Sequence, residues 1–96
     1  MNASQYTRQY TIGGFMDNRE VKDLILEELG NIAPEIEPSE VPDNEDLREA
    51  LELDSMDFLN LVIAVSKRTH VAIPEADYTK VLTLNDMTRY VLKLLV

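Results

Sequence analysis

Ser55 is the residue with the clearest chemical prospect. It stands between two carboxylates in Asp54-Ser55-Met56-Asp57, directly before the apolar run of Phe58, Leu59, Leu61, Val62, Ile63, Ala64 and Val65. Asp54 has the side chain of an N-cap, Asp57 is the acid three residues on, and Leu53 and Phe58 can staple the start, so a helix is predicted to open at Asp54. A hydroxyl in the first turn of a helix lies beside backbone N–H groups that have no intrahelical acceptor, and the dipole there favours a phosphate. Ser55 is therefore suited to carry a phosphodiester. Acids and serines also open ordinary helices, so the tetrapeptide taken alone reads as readily as a plain cap.

Few other chemistries are open. The chain has no cysteine, which removes disulfides, thiolate metal sites and thiol catalysis, and its one histidine, His70, cannot build a His-based metal site or triad alone. Between Glu35 and Asp57 there are ten acids and one base, Arg48, for a local net charge of −9, while the remaining residues balance. Nucleic-acid phosphates would be repelled; a partner with a basic surface is one counterpart, and on charge alone a solvated acidic loop is the favoured reading. A calcium loop fails on its ligands: Asp43, Glu45 and Leu47 break the alternating oxygen pattern, and Arg48 takes the place of the required glycine.

The elements that must position Ser55 follow from length and periodicity. Ninety-six residues, 45% hydrophobic and 28% charged, suit a single core, built without Trp from Leu, Val, Ile, Met and Ala. No run approaches a membrane span and no secretory signal precedes the first helix, so a soluble, intracellular protein is expected. Residues 1–15 show no periodicity and are expected to be a flexible N-terminal extension; Met16, directly before the first helix signal, stands where an alternative start would. A capping box at Asp17 and Glu20 opens a helix whose apolar face is Val21, Leu24, Ile25, Leu29 and Ile32, and Gly30 and Pro34 stop it near residues 30–33. A long connection with Pro38 and Pro42 follows, with a helical turn at 45–50. The helix from Asp54 is apolar almost all round and ends with Lys67 and Arg68, where cations suit the dipole. Pro74 introduces a short helix at 75–80, and a box at Thr83 and Asp86 opens the last, with Met87, Tyr90, Val91, Leu94 and Leu95 on one face. The expected fold is an all-α, small four-helix bundle.

Three blocks carry a family likeness: Leu51-Glu52-Leu53-Asp54-Ser55-Met56-Asp57-Phe58-Leu59, Val71-Ala72-Ile73-Pro74-Glu75-Ala76-Asp77-Tyr78, and Leu82-Thr83-Leu84-Asn85-Asp86-Met87. In order and spacing they resemble the acyl carrier protein family, over about Asp17 to Leu95. The resemblance implies an up-down bundle with a long first loop and a short third helix, occupying residues 16–96. It implies that Ser55 is esterified by 4′-phosphopantetheine from coenzyme A and that the phosphopantetheinyl transferase also reads Asp54. The arm supplies the thiol the chain lacks, and acyl groups ride on it as thioesters, so the chain is expected to be a carrier and not an enzyme. Glu49, Glu52, Met56, Asp57 and Asn60 are the expected contacts to acyl-transferring or condensing enzymes with basic docking surfaces. A cytoplasmic monomer serving lipid metabolism is the corresponding expectation.

Two departures qualify the likeness. Glu52-Leu53 occupies the Gly-Gly positions of peptidyl carriers, which makes that branch a poorer match. Carriers of bacterial fatty acid synthesis usually have acids along the helix after the serine, whereas here Asp57 is followed by Asn60, Ser66, Lys67 and Arg68. A specialised lipid or secondary-metabolite pathway is therefore expected before housekeeping fatty acid synthesis, with an unmodified acidic interaction module as the other alternative.

Overall fold

Asp17 caps the first helix as its spacing predicts. Its carboxylate accepts the Glu20 N–H at 2.9 Å, and Glu20 Oε1 accepts the Asp17 N–H at 3.0 Å, closing both halves of the box. The computed structural model describes residues 16–95, so the extension expected at 1–15 lies outside the described residues. The elements are α1 (Asn18–Ile32), a 3-10 turn (Pro38–Glu40), the one-turn α2 (Leu47–Ala50), α3 (Ser55–Thr69), a 3-10 helix (Glu75–Lys80) and α4 (Leu84–Leu95). No strand occurs among the described residues.

Helix α1 packs against both α3 and α4, and the core lies between them. Val21, Ile25 and Leu29 of α1 meet Leu61, Val62 and Val65 of α3 and Leu84, Met87 and Val91 of α4 in one buried cluster. At about 25 cal/mol per Å² of apolar area, this burial is the main term holding three amphipathic helices together. Helix α1 ends at Ile32, within the 30–33 window that Gly30 and Pro34 mark, and Ala33 closes it with an N–H to the Leu29 carbonyl at 2.9 Å. A glycine costs helix propensity but breaks no hydrogen bond, whereas Pro34 drives the residue before it out of the α region.

The connection from residue 33 to 54 is ordered through its few apolar residues. Ala33, Val41, Leu47 and Leu53 are buried. Backbone bonds then pin it to the start of α4: the Leu47 N–H donates to the Leu82 carbonyl at 2.8 Å and the Asn85 N–H to the Asp43 carbonyl at 2.9 Å. Lys22 of α1 adds an ion pair to Asp43 at 2.7 Å. Together these hold the segment before Ser55 against the bundle.

Candidate functional site

Asp54 is the N-cap of α3, in extended backbone, and its carboxylate accepts the Asp57 N–H at 2.8 Å. The return bond of a capping box is not made, because an aspartate is one methylene shorter than the glutamate that closes the box at α1. Asp57 thus keeps its carboxylate out of the cap, half-buried beside an exposed Asp54. Leu53 and Phe58 are both buried, as the staple requires. Ser55 is the first residue of α3 and is exposed, so its hydroxyl is open at the end of the helix where the dipole is positive.

The acids expected to meet partners surround it. Glu49 and Glu52 are exposed, and Met56 and Asn60 are exposed on the helix that Ser55 begins. Glu52 has φ 56°, a left-handed conformation that favours glycine. Within residues 35–57, Asp43 and Asp46 hold cations: Asp43 binds Lys22, and Asp46 receives two side-chain bonds from Arg48, at 3.1 and 2.8 Å. The Arg48 guanidinium beside it holds the Asp46 carboxyl below the usual carboxylate range. No group of three or more His, Cys, Asp or Glu residues placed to hold a metal occurs among the described residues.

A groove of about 410 Å³ opens beside Ser55, between the start of α3 and the 75–80 segment. Phe58, Leu59, Tyr78 and Leu82 supply apolar walls, with Arg48 and Glu75 among the polar ones. The Phe58 and Tyr78 rings meet edge to face with centroids 6.3 Å apart, and the Arg48 guanidinium carbon lies 5.8 Å from the Phe58 ring centre. Sequence reasoning missed this groove. In the sequence Tyr78 stands only as the end of the second family block and Arg48 as a lone base, and only folding places both beside Ser55.

At the far end of α3 the expected cation pair separates. Arg68 Nη1 donates to Glu27 Oε1 at 2.7 Å and to Glu28 Oε2 at 2.9 Å, so α1 takes up its charge. Burial opposes that charge, but the two carboxylates outweigh it and raise the Arg68 pKa. Lys67 is exposed and has no ion-pair partner among the described residues. The two cations at this end are therefore balanced by two acids, unlike the cation pair the sequence suggests, because packing α1 on α3 brings Glu27 and Glu28 to Arg68.

Comparison with known proteins agrees with this geometry. The family described as "Phosphopantetheine attachment site" matches residues 19–91. The chain is 33% identical to an acyl carrier protein of Campylobacter fetus over 72 residues, covering 75% of this chain and 87% of that one. It is 33% identical to an acyl carrier protein of Bdellovibrio bacteriovorus over 73 residues, 76% and 87% of the two chains. A third, from Wolinella succinogenes, is 29% identical over 72 residues, 75% and 88%. No solved structure matches.

Proposed function

The chain belongs to the phosphopantetheine-attachment family, and on that premise we propose that it is an acyl carrier protein whose arm is esterified to Ser55. The single observation that carries the assignment is the placement of Ser55: an exposed hydroxyl at the first position of a capped helix, inside the matched region, beside an open groove. Ser4 lies outside the matched residues, Ser39 sits in a 3-10 turn and Ser66 donates its hydroxyl to the Val71 carbonyl at 2.7 Å. Neither Ser39 nor Ser66 stands at the start of a helix of eight residues or more.

These residues fit a covalent 4′-phosphopantetheine group. Ser55 would hold it through Oγ, and the first-turn N–H groups and the dipole of α3 would stabilise its phosphate. Once bound, the group supplies a thiol that holds acyl cargo as a thioester. Asp54 fixes the turn through the Asp57 N–H and, exposed beside Ser55, is available to the phosphopantetheinyl transferase. Phe58, Leu59, Tyr78 and Leu82 offer an apolar wall within reach of Ser55, against which a cargo chain can be shielded from water. The chain itself transports, and the reactions belong to the enzymes it meets.

The carrier domain spans residues 16–96, works as a cytoplasmic monomer, and serves a specialised pathway. Support for the last point is the outward face of α3, which bears no acid after Asp57. None of the described helices is long and apolar enough to cross a membrane. Incubation with coenzyme A, Mg²⁺ and a broad-specificity phosphopantetheinyl transferase tests the core of the assignment. Intact mass should rise by one phosphopantetheine group in the wild type and not in Ser55→Ala, with helical circular dichroism equal in both. A mass gain that survives in Ser55→Ala refutes it.

A further inference from the structure

Arg48 is the one base among the ten acids of residues 35–57, and it lines the groove in which Ser55 lies. Three contacts fix its place. Its carbonyl accepts the Leu53 N–H at 2.9 Å, which ties its backbone to the residue two before Ser55. Asp46 accepts from Nε and Nη2 at 3.1 and 2.8 Å, and the guanidinium carbon lies 5.8 Å from the Phe58 ring centre. Phe58 follows Ser55 by three positions on α3, so the two side chains are neighbours on one face, with Cβ atoms about 5–6 Å apart.

Asp46 occupies one edge of the guanidinium. Two of its five N–H donors are spent there, Nη1 has no acceptor among the described residues, and the side chain is 45% exposed. The Nη1–Nη2 edge is therefore open, and its parallel donors match two oxygens of a phosphate. Ser55 is where such a donor is needed. A phosphodiester on its hydroxyl brings a negative charge among Glu52, Asp54 and Asp57, which repel it. Arg48 and Asp46 cancel at long range. At contact they do not, because a phosphate on the open edge meets N–H groups directly while the carboxylate stands on another edge of the guanidinium.

We propose that Arg48 is a binding residue for the arm: its open edge donates to the phosphodiester on Ser55, and Asp46 is the positioning residue that holds that edge. The inference rests on the reading of Ser55 as the attachment residue, and it adds a residue that lies outside the run around that serine. The root of the arm is thereby fastened at the mouth of the groove, and only the part beyond the phosphate swings free.

The test compares apo and holo forms of wild type, Arg48→Gln and Lys67→Gln, the last removing an equal charge from the far end of α3. Intact mass reads the Ser55 assignment by itself, and a wild type that gains no mass would overturn that assignment and this proposal together. In loaded protein the phosphorus resonance of the phosphodiester should differ between wild type and Arg48→Gln and stay in place in Lys67→Gln. Loading should also raise Tm by about 2–5 °C more in wild type than in Arg48→Gln, the size one exposed ion pair gives in a domain this small. Arg48→Lys keeps the charge without the fork and should recover part of that difference. Loss of the Phe58 and Asp46 contacts lowers Tm alike in apo and holo Arg48→Gln, so the response to loading is free of it. With loading verified, an unchanged phosphorus resonance or an equal Tm response in wild type and Arg48→Gln would overturn the proposal and leave the Ser55 assignment standing.

Discussion

At Glu52 the backbone and the side chain want different things. Its φ of 56° costs a residue with a Cβ about 1 kcal/mol or more, and glycine would hold the turn into Asp54 with less strain. The carboxylate is exposed three residues before Ser55, so the residue chemistry is offered to solvent at the expense of the turn. Glu52→Gly should stabilise the fold by about 0.5–1 kcal/mol, the relief of strain being partly offset by the greater freedom of glycine in the unfolded chain. Chemical denaturation measures this. A destabilised variant would mean that the carboxylate makes a contact worth more than the strain. Ser55 was legible as a candidate because capping acts over three residues, whereas the left-handed turn before it depends on Leu53 and Leu47 both reaching the core.

Among the elements, the 75–80 segment is the least firmly held wall of the groove. It contributes no fully buried side chain. Tyr78 leans on Phe58, and the Tyr90 hydroxyl donates to Asp77 Oδ2 at 2.6 Å, tying the segment to α4. That bond, with Lys80 beside it, holds the Asp77 carboxyl below its usual range, and Asp77 in turn raises the Tyr90 phenol. A lowered carboxylate pKa adds stability that is present above its unfolded value of about 3.9 and is lost as pH falls through the folded value. The raised phenol adds stability present below about pH 10 and lost as pH rises through its folded value. Tyr90→Phe should therefore lower Tm at neutral pH, flatten the loss of Tm below about pH 4, and remove the alkaline loss above about pH 10. Asp46, also lowered, keeps part of the acid limb in place. Equal pH profiles for the variant and wild type would show that the bond does not form in solution.

For the whole molecule, charge opposes compactness. Ten acids crowd residues 35–57, and within that stretch Asp43 and Asp46 are the two held in ion pairs among the described residues. Exposed ion pairs are each worth about 0–1 kcal/mol, so screening them away costs less than screening the repulsion returns. Salt at about 0.1 M screens beyond roughly 10 Å, and Tm should rise with added NaCl. A Tm that is flat or falls with ionic strength would mean that the Lys22–Asp43 and Arg68 pairs outweigh the repulsion.

The sequence by itself determined where the helices begin, most of the face each buries and which serine opens the apolar helix, although Leu94, read with the buried face of α4, and Ile63 of α3 are exposed. Caps, staples and amphipathic periodicity all act between residues within about four positions of one another, and those signals survive without knowledge of the fold. The stop read from Gly30 and Pro34 near residues 30–33 is of the same local kind, and α1 ends at Ile32. Tertiary structure alone decided the rest. It laid Tyr78 and Leu82 against Phe58 to make the groove, and it turned Arg68 but not Lys67 toward α1. Those outcomes depend on contacts between residues twenty to forty-one positions apart, set by how helices pack across the core, and no spacing along the chain encodes them.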